Sequence, residues 1–208
     1  MYDLADVLPD AELDPGSNVL IAGPPLTGKR QIALDILASG ADRGDGSIII
    51  TTKDSADKVL DEYTAQVDGD ADIGVVDCVT KQRGIGAVDD DSRIKYASSP
   101  VDMTGIGIKL SEFLQEFYEG RGRTESRVLL YSVSTLLMYS NLQTVFRFLH
   151  VFTGRIQSAE ALGVYVIDST AHDDQTMNTL KQLFDAVIEV EASDDEDEPK
   201  IRTAGLST

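Results

Sequence analysis

The sequence predicts an α/β fold: a mostly parallel sheet flanked by helices and finished by a C-terminal β-hairpin. Three observations carry this. Short apolar, β-branched runs alternate with segments of helical periodicity, the pattern of parallel strands joined by crossovers. The glycine-framed run Gly23-Pro24-Pro25-Leu26-Thr27-Gly28-Lys29-Arg30 sits between one such strand and one such helix. The last apolar run is followed by a dense acidic stretch at 193–199 and a short return segment, Lys200-Ile201-Arg202.

The elements follow in order. Residues 1–14 form an N-terminal segment in which 3–9 read as a short amphipathic turn on the domain edge. Asp14-Pro15-Gly16-Ser17 is a turn that launches the strand Val19-Leu20-Ile21-Ala22. A helix is expected over 31–39. The run 47–52 is β-branched from Ile48 onward, as a strand buried on both faces should be. Residues 55–63 read as a helix with Ser55 as its N-cap. A strand is expected at 73–78. Residues 80–100 are polar and aperiodic and read as a long loop. Leu110, Phe113, Leu114 and Phe117 give 108–118 a helical spacing, broken by Gly120-Arg121-Gly122-Arg123. A strand at 128–132, a long helix at 142–162, a strand at 164–168, a helix at 177–184 and a strand at 186–190 complete the series. With no repeat and no linker, a single domain over 1–208 is expected, its acidic hairpin tip at 193–199.

The length of 208 residues suits a sizeable core, and 42% apolar content is ordinary for a globular chain. No apolar run reaches membrane-spanning length, and the acidic N-terminal stretch lacks the basic start and apolar core of a signal peptide. Cys78 is the only cysteine, so neither an intrachain disulfide nor a cysteine-based zinc site can form. These features predict a cytoplasmic protein without a membrane partner. The net charge of −18 repels phosphate backbones and argues against nucleic acid as a partner. Because the acidity is spread along the chain, it favours adaptation to high salt over a local patch for a basic partner.

The spacing G-x-x-x-x-G-K from Gly23 to Lys29 is that of a phosphate-binding P-loop. Its backbone amides curl around an anion at a helix N-terminus, and Lys29 reaches the outer phosphates. The expected ligand is ATP or ADP, contacted by Gly23, Pro24, Pro25, Leu26, Thr27, Gly28, Lys29 and Arg30. The residue after the lysine is ordinarily Ser or Thr, whose hydroxyl binds Mg²⁺. Arg30 stands there instead and cannot ligate a cation, which puts Mg²⁺ and hydrolysis in doubt. Arg30 could make a second anion contact, its fork standing in for the metal's charge, or pair with Asp54 or Asp168. Leu26 replaces a residue that is often Gly, so the backbone there is less free to take positive φ.

Other residues carry open alternatives. Val164-Tyr165-Val166-Ile167-Asp168 ends four apolar residues in Asp, which makes Asp168 a candidate metal ligand or simply an ordinary strand end. The run 73–77 repeats the pattern more weakly. His172 lies past a strand's C-terminal end, where it is either a loop hydrogen-bonder or a catalytic group. His150 is expected at a packed core edge. Arg121, Arg123 and Arg127 are either a solvated cluster or an arginine finger toward a neighbouring subunit.

From the loop and the order of strands and helices, the chain resembles the KaiC-like branch of the RecA superfamily, in particular its halophilic archaeal members. The matching text includes Gly23-Pro24-Pro25, Thr27-Gly28-Lys29, the run 132–137, Tyr139-Ser140-Asn141 leading into 146–150, His172-Asp173-Asp174 and 181–185. The resemblance covers about residues 15–203 and implies a RecA-like P-loop NTPase core, a nucleotide at the loop, and assembly into rings or filaments. It also accounts for the acidic surface. Against the family pattern, Tyr131 replaces the Walker B acid, Thr52-Lys53 replaces the catalytic Glu pair, and Arg30 replaces the Mg²⁺-binding hydroxyl. The resemblance therefore implies a nucleotide-binding protein with impaired or absent hydrolysis, acting as a regulatory or scaffolding subunit with a protein partner or through self-association. The alternatives are a non-binding interaction module that keeps the fold and an active ATPase with a rearranged metal site.

Overall fold

A computed structural model describes residues 1–9, 11–67, 71–84, 90–192 and 200–206. The acidic tip expected at 193–199 lies outside the described residues. An eight-stranded sheet organises the chain: β3 (Asn18–Gly23), β4 (Gly46–Thr51), β5 (Ile73–Asp77), β6 (Ile94–Tyr96), β7 (Ser126–Tyr131), β8 (Leu162–Asp168), β9 (Ala186–Glu191) and β10 (Lys200–Ala204). The order is β10-β9-β3-β8-β7-β4-β5-β6. Neighbouring strands are parallel except β10, which returns antiparallel along β9, as the expected hairpin requires. Ahead of it, β1 (Tyr2–Asp3) and β2 (Glu12–Leu13) pair antiparallel.

Helices cover both sheet faces, so the central strands are apolar at nearly every position. Val19 and Ile21 of β3 join one core with Ile36 and Leu37 of α1 (Lys29–Ala41) and Tyr63 of α2 (Ala56–Thr64). Leu20 and Ala22 join the opposite core. There they meet α4 (Met103–Gln115), α5 (Val133–Tyr139), α6 (Leu142–Ser158) and α7 (Asp174–Lys181). Each fully buried Leu or Ile contributes about 1.5–3 kcal/mol, which makes the two layers the main source of stability.

Several expectations change. The stretch read as a loop at 80–100 contains the four-residue helix α3 (Thr80–Arg83) and the edge strand β6, both too short to show periodicity. The long helix expected to 162 ends at Ser158, and Leu162 already opens β8. A further helix, α5, precedes it, begun by Ser132, whose hydroxyl accepts from the Thr135 amide. Asn141 caps α6 in the same way at 2.9 Å. The Ser55 side chain makes no capping bond; instead Asp77 accepts from the Ala56 amide at 2.8 Å. The helix expected at 108–118 starts at Met103, where Asp102 caps it, and finishes in a π-helical turn, Glu116–Gly120.

The arginine cluster also dissolves. Arg127 is 1% exposed and pairs with Asp45 at 2.8 Å. Its guanidinium also donates to the Ile36 carbonyl at 2.7 Å and the Ser39 hydroxyl at 3.1 Å. The Tyr2 ring lies 5.6 Å from it, and the Tyr2 hydroxyl donates to the Glu160 carbonyl at 2.8 Å. The N-terminal segment is thus part of the core, with Tyr2 and Leu4 buried, and not an edge turn. Arg121 and Arg123 both bind Asp72, at 2.9 and 2.5 Å. All three guanidiniums are paired with acids of this chain.

Candidate functional site

The site forms at the carboxyl ends of the parallel strands, where ligands bind in open α/β sheets. Gly23 ends β3, residues 24–27 form the loop, and Gly28 caps α1 with φ of 80°. That angle suits glycine and lets the α1 amides open toward an anion. Gly23 is required for a different reason: a Cβ there would strike the Val190 carbonyl of the neighbouring strand. Leu26 takes φ of 62° despite its side chain, a conformation costing roughly 1–2 kcal/mol for a non-glycine residue. Its side chain is fully exposed at the loop tip. The Thr27 hydroxyl donates to the Pro24 carbonyl at 2.8 Å and braces the turn.

Lys29 is 5% exposed. Its ammonium donates to the Pro24 carbonyl at 2.5 Å and pairs with Asp168 at 2.9 Å. A phosphate entering the loop therefore competes with one carboxylate for this charge. Arg30 does not reach Asp168. It pairs with Asp54 and with Glu62, each at 2.5 Å, and lies 4.9 Å over the Tyr131 ring. Lys58 bridges the same two carboxylates, at 2.8 and 3.9 Å. Burial raises the Asp54 carboxyl, but the bond from Lys58 and the Arg30 charge outweigh it and hold the pKa below its usual value. Of the alternatives for Arg30, the pairing with Asp54 is the one present, and the Tyr131 ring packs under the guanidinium.

A cleft of about 500 Å³ opens beside the loop. It runs from Lys29 past Asp168 and Tyr131 to Lys53 at the end of β4 and Arg83 at the end of α3. Ser132 and Ser134 line it as well. The Tyr131–Ser132 peptide is cis. Thr52 ties β4 to β7, its amide donating to the Tyr131 carbonyl at 2.8 Å while its hydroxyl accepts from the Ser132 amide at 2.8 Å.

The Ser134 hydroxyl accepts from the Asp168 amide at 2.9 Å and lies 2.8 Å from His172 Nε2. The hydroxyl keeps a second lone pair, so the His172 tautomer sets which of the two donates, and His172 is a hydrogen-bonder between elements in this arrangement. Burial lowers the His172 pKa, against the raising effect of Asp168 and Asp173. His150 departs from expectation: it is exposed and stacks on Phe146, ring centroids 6.4 Å apart. Asp77, the weaker Walker-like acid, accepts from the amides of Ala56, Val79 and Thr80 and from the Thr80 hydroxyl, all within 2.8 Å. It organises two helix starts and does not line the cleft.

The donor set does not fit Mg²⁺. Asp168 is the one carboxylate among the described residues lining the cleft, and Lys29 occupies it. No group of three or more His, Cys, Asp or Glu side chains among the described residues could hold a metal ion. Sequence reasoning missed the cleft's far wall. Lys53 was visible only as a missing acid, and nothing local marks Arg83, which α3 delivers. The Ser132-x-x-Thr135 spacing was the available signal for α5 and, with it, for Ser134.

The fold is a mostly parallel α/β sheet flanked by helices, of the RecA-like kind seen in a KaiC-like protein. Within that class the chain belongs to a family of unknown function, DUF7504, whose match spans residues 16–190. The fold is similar to that of a KaiC-like protein from Pyrococcus horikoshii, with a TM-score of 0.62 and 11% identity over 98% of this chain and 83% of that one. It is also similar to an uncharacterized Pyrococcus horikoshii protein, solved in complex with an unknown peptide. There the TM-score is 0.69 and the identity 12%, over 97% of this chain and 87% of the other. No curated protein matches the sequence. No helix among the described residues is long and apolar enough to cross a membrane.

Proposed function

We propose that the chain binds ATP or ADP at residues 23–30 without a divalent cation and hydrolyses it poorly or not at all, so that occupancy regulates a protein interface. One observation carries the reading: Arg30, clamped by Asp54 and Glu62 and stacked on Tyr131, fills the place where the hydroxyl and acid of an active site would hold Mg²⁺. Phosphoryl transfer rests on electrostatic stabilisation and positioning, and those parts are replaced here. Leu26, Met138 and Tyr139 are exposed apolar side chains around the cleft mouth, which favours a protein partner or a second copy covering it. The acidity spread over the surface supports function in high salt.

The test is thermal melting in molar KCl with ATP or ADP, in Mg²⁺ and in EDTA. At a hundredfold the dissociation constant, binding adds about 2.7 kcal/mol of stability. The expected shift survives EDTA and disappears in Lys29→Ala. A shift that needs Mg²⁺ points instead to Asp168 as a metal ligand and an active ATPase. No shift with either nucleotide leaves an interaction module that keeps the fold. Steady ATP turnover that Lys29→Ala abolishes sinks the reading outright.

A further inference from the structure

We propose that Lys53 and Arg83 form a second anion subsite that takes the terminal phosphate of a triphosphate in place of a divalent cation, making the cleft selective for ATP over ADP. This rests on the nucleotide-binding reading above and assigns the part of that site which no motif marks.

Charge bookkeeping within the cleft points to the pair. The protein carries 18 basic residues against 36 acidic ones, so carboxylates are in ample supply around its cations. Arg43 faces Asp3 and Asp6, Lys95 faces Glu112 and Glu116, and Arg121 and Arg123 face Asp72. Inside the cleft, Lys29 and Arg30 are likewise matched by acids. Lys53 and Arg83 differ. Both are exposed, both line the cleft, and neither has a carboxylate partner among the described residues. They are also adjacent: Arg83 Nη2 donates to the Lys53 carbonyl at 3.3 Å. Two like charges sharing one wall repel each other, and a polyanion between them and Lys29 relieves that repulsion.

Geometry sets which anion fits. In the sheet, β4 lies three strands from β3. At the usual strand spacing this is roughly 14 Å between the phosphate loop and the wall that bears Lys53. A diphosphate seated on the α1 amides ends near Lys29. A third phosphate would prolong the chain from Lys29 into the cleft that the lysine stem of Lys53 and the arginine fork of Arg83 also line. Arg83 then supplies paired N–H donors, and Lys53 a mobile point charge. Together with Lys29 they place three positive charges around the phosphate chain, the work a bound divalent cation and one lysine share in hydrolysing relatives. No bond is made or broken, and nothing in the arrangement activates a water.

The test is calorimetric titration with ATP and with ADP in EDTA at fixed ionic strength. The proteins are wild type, Lys53→Ala, Arg83→Ala and Lys29→Ala, with circular dichroism as the check on folding. Wild type should prefer ATP roughly tenfold or more, as charged hydrogen bonds to one extra phosphate allow. Each of Lys53→Ala and Arg83→Ala should remove most of that preference and leave ADP affinity within about twofold. Equal affinity for ATP and ADP in wild type overturns the subsite while leaving nucleotide binding intact. So does an equal loss for both nucleotides in the two variants, which marks a general field and not a terminal-phosphate contact. If neither nucleotide binds wild type, the nucleotide reading and the subsite fall together.

Discussion

Arg127 shows how one side chain can be read as surface and serve as core. Its charge is buried with Asp45, and both sit among carbonyls and the Tyr2 ring. Removing one member of such a pair strands the other charge in a poorly solvating interior. Arg127→Ala should therefore cost about 3–5 kcal/mol in chemical denaturation. A loss below about 1 kcal/mol, the range of exposed ion pairs, would show that water reaches Asp45 freely. Leu26 teaches the converse. The sequence places a residue with a Cβ where the loop needs positive φ, and the structure accepts that angle and exposes the side chain.

Between elements, the Ser134–His172 bond links the start of α5 to the segment after β8, and the Asp168 amide joins them. Because burial depresses the His172 pKa, the folded form binds its proton more weakly than the unfolded chain does. By linkage, the stability tied to the neutral ring is present above about pH 6.5, the unfolded value, and is lost as pH falls through the depressed folded pKa. His172→Gln should flatten that part of the stability–pH curve, measured by denaturant titration at closely spaced pH values. An unchanged slope would mean that His172 titrates as it does in the unfolded chain. Such links were not legible in sequence, because they join residues 34 to 38 positions apart. The strands were legible, since burial on both faces writes itself as uninterrupted apolar runs. The loop was legible because glycine and lysine must stand at fixed offsets. What failed was short or non-local: β6 has three residues, α3 has four, and the acids that partner Lys29 and Arg30 are chosen by topology.

For the molecule as a whole, the net charge of −18 opposes compaction even though many cations are paired. Salt shortens the reach of that repulsion from about 10 Å at 0.1 M to about 3 Å at 1 M. The melting temperature should therefore climb as KCl is raised across this range. A falling one would show that the surface ion pairs outweigh the excess of carboxylates. The two layers of core on either side of the sheet are apolar and should respond to salt far less than the surface does.

The position of β3 has a consequence for the order in which the site can be made. Its neighbours in the sheet are β8 and β9, which begin at Leu162 and Ala186. On a ribosome, the strand that carries the loop emerges well before either of its partners and waits for them unpaired. Strand pairings so distant in sequence form slowly. The loop thus reaches its working shape only when the last parallel strand is in place. A nucleotide bound as proposed would find its site only after β9 has docked.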